Sequence, residues 1–96
     1  MHVVIRRYTG AAALIGEMER RKGEVEELIR KSPGFGAYYA VRTGADSVAS
    51  ITVCDSKAGT DESSRLAREW VQQNVTGLAA SPAEVVEGQT FLEFWR

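Results

Sequence analysis

The sequence predicts an α+β fold with the element order β-α-β-β-α-β. Three observations predict it. Apolar residues alternate at strand period in several short runs. Two longer stretches carry apolar residues at helical spacing instead. The only two prolines, Pro33 and Pro82, fall between such runs, where element boundaries belong.

The first strand is expected over about His2 to Thr9, on β-branched Val3, Val4 and Ile5 with Tyr8 extending the run. Thr9 and Gly10 break it, and Thr9 suits a helix N-cap. One helix is expected over about Ala11 to Lys31, with Leu14, Met18, Val25, Leu28 and Ile29 on one stripe. Glu17/Arg21, Glu26/Arg30 and Glu27/Lys31 place an acid four residues before a base on the far face. Ser32-Pro33-Gly34 ends the helix. Gly34 to Arg42 reads as a strand, with Phe35, Ala37, Tyr39 and Val41 on one face and Tyr38, Ala40 and Arg42 on the other. The short turn Thr43-Gly44-Ala45-Asp46 leads into a third strand, Ser47 to Cys54, and the pair reads as a hairpin. Asp55 and Ser56 offer N-caps for a helix over about Lys57 to Asn74, whose stripe is Leu66, Ala67, Trp70 and Val71. Gly59 and Thr60 weaken its first turn. Asn74 to Pro82 reads as a loop of small residues. A last strand is expected over about Ala83 to Trp95. This order is the ferredoxin-like split βαβ arrangement, a four-stranded antiparallel sheet with two helices on one face.

Composition narrows the function classes. The 96 residues make one domain, 1–96, with one small core. Hydrophobic residues at 44% and charged ones at 26% fit a folded globular chain. Twelve Lys and Arg against 13 Asp and Glu leave a net charge of -1, which speaks against nucleic acid as a partner. A single cysteine, Cys54, and a single histidine, His2, leave no disulfide framework and no metal cluster. No apolar run reaches membrane-spanning or signal-peptide length, so the expectation is a cytoplasmic protein with no membrane partner.

The sheet carries the next inference. A half-exposed antiparallel sheet alternates apolar and polar positions. Here strand two has Phe35, Tyr39 and Val41 on one side and Tyr38 on the other, and strand four has Phe91 and Trp95 opposite Leu92 and Phe94. Two helices cover one face only. A second copy of the chain is the simplest cover for the other, so a homodimer is expected.

Five residues are candidates for a small-molecule pocket. Trp70 lies on the second helix's apolar stripe and reads as core or as a pocket wall. Tyr38 and Tyr39 are adjacent in a strand and point to opposite faces, so one of them can orient a phenolic or quinone ligand. Arg6 is a charge embedded in a strand, read as a snorkelling residue or an anion-binding one. His2 begins the first strand, as a packed residue or a proton carrier. Cys54 sits beside Asp55, whose charge opposes thiolate formation. Gly34-Phe35-Gly36 opens a strand and lacks the helix a phosphate loop needs.

Ser32-Pro33-Gly34-Phe35 through Tyr38-Tyr39, with Ser50 to Asp55 leading into a helix that ends Arg68-Glu69-Trp70-Val71, resembles small members of the dimeric α+β barrel superfamily. The similarity is to its antibiotic-biosynthesis-monooxygenase-like branch and covers nearly the whole chain. The resemblance implies a dimer whose two sheets form a barrel with helices outside. It implies a hydrophobic or aromatic small molecule held between helices and sheet. It points to a monooxygenase of aromatic or quinol substrates that uses no cofactor, or to a non-catalytic dimeric ligand-binding or regulatory module. Haem-degrading relatives pair a tryptophan on the second helix with a later histidine and an asparagine on the first strand. Trp70 matches by element, but no histidine follows it, and the first strand offers arginines and Tyr8 instead.

Overall fold

A computed structural model describes residues 1–77 and 82–96; part of the loop expected over Asn74 to Pro82 lies outside the described residues. The elements are β1 (His2–Tyr8), α1 (Ala12–Arg20), α2 (Lys22–Arg30), β2 (Phe35–Gly44), β3 (Ser47–Cys54), α3 (Lys57–Asn74) and β4 (Glu84–Gln89). The sheet is antiparallel, in the order β2-β3-β1-β4. Among the described elements the three helices lie on one side of it.

Register assigns the faces. Tyr8 pairs with Val48, Arg6 with Ser50 and Val4 with Thr52. All six are buried, so this set faces the helices. The intervening residues Val3, Ile5, Ala49, Ile51 and Val53 face the other way, joined by Ala37, Tyr39 and Val41 from β2 and Val86 from β4. That open face is an almost continuous apolar surface, on which Tyr39 and Val86 are more than half exposed.

The structure corrects the expected elements at three places. The first helix is two. The chain leaves helical geometry at Arg21, with φ -116° and ψ 33°. Arg21 there holds Glu17 at 3.0 Å and donates to Asn74 Oδ1 at the end of α3. These contacts and the weak helix former Gly23 favour a bend over a straight rod. Of the expected pairs, Glu17/Arg21 and Glu26/Arg30 form, and Glu27/Lys31 does not.

The second correction concerns Phe35. A bulge between Phe35 and Ala37 moves Phe35 off the face of Tyr39 and Val41, opposite buried Cys54. The Arg30 guanidinium of α2 lies 5.4 Å from its ring centre. The same strand runs on to Gly44, so the turn shortens to Ala45-Asp46.

The third is β4, expected to run to Trp95 and ending at Gln89. Gln89 pairs with His2, the first residue of β1, so nothing beyond it has a strand to pair with. Thr90 N–H still donates to the Met1 carbonyl at 2.9 Å. Phe91 and Phe94 then stand 91% and 88% exposed.

The core lies between α1, α3 and the helix-side sheet face, around Tyr8, Leu14, Ile15, Val48, Trp70 and Val71. Met18, Val25 and Leu28 pack against it.

Candidate functional site

Strand alternation builds the site from one layer. Arg6 and Tyr8 on β1, Tyr38 on β2 and Ser50 on β3 all face the helices, and α3 brings Trp70 to the cavity lined by Tyr8, Tyr38 and Ser50. Tyr8, Tyr38, Ser50 and Trp70, with Leu14, Leu28 and Val71, wall a narrow cavity of ≈ 30 Å³. That volume admits about two waters and no aromatic ring. The Trp70 indole N–H donates to Glu24 Oε1 on α2 at 3.0 Å, so α2 is tied across the top of the cavity.

The cavity adjoins a larger space. Between α2 and the edge strand β2 lies an open cleft of ≈ 610 Å³. Met18, Val25, Ile29 and Tyr38 line both. Its outer walls are Phe35, Ala37 and Tyr39, with Lys22, Glu26 and Arg30 at the rim. A cleft of this size matches small-molecule sites.

Arg6 is the unusual group. Its side chain is 2% exposed. Nε donates to Ser50 Oγ at 3.1 Å, and one terminal nitrogen donates to Ser63 Oγ at 3.2 Å and Ser64 Oγ at 2.9 Å. The other terminal nitrogen donates to Thr52 Oγ1 at 2.7 Å. All four acceptors are hydroxyls, and among the described residues no carboxylate pairs with this guanidinium. Burying a cation without a counter-charge is costly, and hydroxyl dipoles offset only part of the cost. Burial pulls the Arg6 pKa down, against the neighbouring Tyr8, Tyr38 and Cys54. Burial pushes Tyr8 and Tyr38 above their ordinary value, and the Arg6 charge pulls both back. The cluster is thus a fixed positive charge beside neutral phenols in an apolar setting. Such a setting favours negative charge forming on a ligand.

The structure brings Arg6, Tyr38 and Trp70 together. It places Tyr39 on the open face of the sheet, at the outer edge of the cleft. His2 lies about 13 Å from Arg6 along β1, where Nδ1 contacts Thr60 Oγ1 at 2.8 Å and Nε2 lies 3.7 Å from Glu87. Burial first, and Asp55 second, push the Cys54 thiol up, which leaves it a poor nucleophile. Tyr8 and the hydroxyl set were missed from the sequence. The signal was there: Ser50 and Thr52 stand on the otherwise apolar inner side of β3, and Ser63 and Ser64 sit in a helix that buries its middle.

No family model matches the chain, and no curated protein matches it. Solved structures do. A monooxygenase from Streptomyces coelicolor in complex with nanaomycin D is 24% identical, with a TM-score of 0.66 over 99% of this chain and 91% of that one. SnoaB, a cofactor-independent oxygenase from Streptomyces nogalater, is 20% identical, with a TM-score of 0.63 over 96% and 94%. A heme-degrading protein from Mycobacterium tuberculosis is 23% identical, with a TM-score of 0.57 over 99% and 100%. The chain therefore has the ferredoxin-like fold of these oxygenases and of the heme-degrading protein, the fold that the antibiotic-biosynthesis-monooxygenase-like resemblance implied.

Proposed function

We propose that the protein is a cofactor-independent monooxygenase of aromatic or quinol substrates, working as a homodimer. The observation that carries this reading is the buried guanidinium, which has no carboxylate partner among the described residues, set beside buried Tyr8, half-buried Tyr38 and an apolar cavity. The oxygenases of this fold support it by analogy. The substrate enters by the cleft between α2 and β2, and its ring displaces Met18, Val25 and Ile29 from above Tyr38. Its phenol ionises near Tyr38 and Ser50, giving its proton to water in the open cleft, and the Arg6 charge stabilises the anion. The electron-rich ring then reduces dioxygen directly. At an activated ring methylene, one oxygen atom becomes the new carbonyl and the other leaves as water with the methylene hydrogens. The substrate supplies every electron, so no reductant is consumed. The apolar open face of the sheet supports the dimer.

One observation favours a second reading, a non-catalytic dimeric ligand binder. The narrow cavity takes only about two waters, so a ring must widen it. Oxygen uptake in the presence of anthrone separates the two. The expected result is protein-dependent uptake with anthraquinone as product, reduced roughly 100-fold in Arg6→Met. Binding of anthrone without uptake gives the binder reading instead.

A further inference from the structure

A separate groove of ≈ 440 Å³ runs between α3 and β4, on the other side of Tyr8 from the cavity. Tyr8, Pro82 and Val85 give it apolar walls, and Ser64 and Arg68 line its polar side with Arg6 behind them. We infer that this groove binds the carboxylate of a small aromatic acid.

Charge accounting supports an anion there. Arg68 follows Ser64 by one helical turn, so both lie on the same side of α3. Among the described residues Arg68 has no carboxylate within ion-pair distance. Its helix neighbours Glu62 and Glu69 are both held by Arg65, at 2.7 and 2.9 Å. Two acids do line the groove, Asp61 and Glu87. Both are held by Lys57, at 2.9 and 3.4 Å, and Glu87 also lies 3.7 Å from His2. Lys57 brings one charge to these two acids, so Arg6, Arg68 and Lys57 set three cations against two carboxylates and leave the groove one positive charge in excess.

The hydroxyl geometry gives the contact. Ser64 Oγ accepts from Arg6 at 2.9 Å, which leaves its own O–H to donate. Arg6 lines the floor of the groove but is 2% exposed, so it acts mainly through Ser64, as a positioning residue with a fixed charge. Arg68 supplies a direct guanidinium for the carboxylate. The ring lies on Tyr8, Pro82 and Val85. This site stands apart from the cavity and does not depend on oxygen chemistry.

The test is calorimetric titration of the full chain with 2-naphthoate and with 2-naphthamide, its uncharged counterpart. The expected result is about 10-fold tighter binding of the acid, with the preference lost in Arg68→Gln and weakened in Ser64→Ala. Equal affinity for acid and amide overturns the inference, as does a preference that survives in Arg68→Gln. Anthrone oxidation by a protein with no acid preference removes this site and leaves the oxygenase reading standing. Acid preference without oxidation does the reverse.

Discussion

A guanidinium held by serine and threonine hydroxyls sets the chemistry of this molecule at the scale of single residues. The hydroxyls satisfy its hydrogen bonds without cancelling its charge, so the charge remains available to whatever lies beside it. Tyr8 and Tyr38 feel that charge and burial together, and burial dominates. Their pKa values in the folded chain lie above the ordinary tyrosine value of about 10. The folded state therefore keeps protons that the unfolded state gives up. The stability this represents is whole below pH about 10 and is lost as pH rises through the folded values. Tyr8→Phe and Tyr38→Phe are expected to flatten the fall of stability on that alkaline limb, read by denaturant midpoints across pH. An unchanged limb in both variants would contradict the burial argument.

At the scale of elements, α3 meets β3 through Gly59. A methyl group there would come within 2.1 Å of the Pro33 carbonyl oxygen and 2.8 Å of Cys54 Cβ. The first of these is backbone and cannot swing away. Gly59→Ala is expected to cost about 1–3 kcal/mol, seen as a lower urea midpoint at unchanged slope. The sequence shows Gly59 only as a weak helix former, because the close approach comes from a distant segment. The same division runs through the other elements. The bounds of β3 and α3 are legible from strict alternation and from the apolar stripe through Leu66 and Trp70. The break at Arg21 is not, since helical spacing continues across it and the bend answers to Asn74, 53 residues away. The end of β4 is not legible either. Its aromatic residues have strand character, and only the start of β1 decides where pairing stops.

On the scale of the whole molecule, one sheet face is covered by helices and the other carries Ile5, Ile51, Tyr39, Val41 and Val86 toward the outside. Light scattering is expected to give twice the mass of one chain, and Ile51→Lys is expected to give a monomer that keeps its helical circular dichroism. A monomeric wild type at tens of micromolar would remove the dimer. The face itself was legible in β2 through Tyr39 and Val41, whereas the bulge takes Phe35 off it and Phe91, Leu92, Phe94 and Trp95 lie beyond the end of β4. The site was legible only in part. Arg6, Tyr38 and Trp70 could be named as candidates, but register shows that Arg6 and Tyr38 share the helix-side face and that Tyr39 does not, while His2 shares that face and stands apart only by distance along β1. Ser50, Thr52, Ser63 and Ser64 read as ordinary polar residues until three elements converge on one guanidinium.

The tie between Trp70 and Glu24 also makes the chain its own optical probe. The two indoles occupy opposite environments, Trp70 buried beneath α2 and Trp95 77% exposed. Replacing Trp95 with phenylalanine leaves a single indole, excited apart from the tyrosines at the red edge, under the element that must lift to admit a ring. Its emission wavelength and its shielding from acrylamide then follow the opening of α2 directly, in real time and without a label.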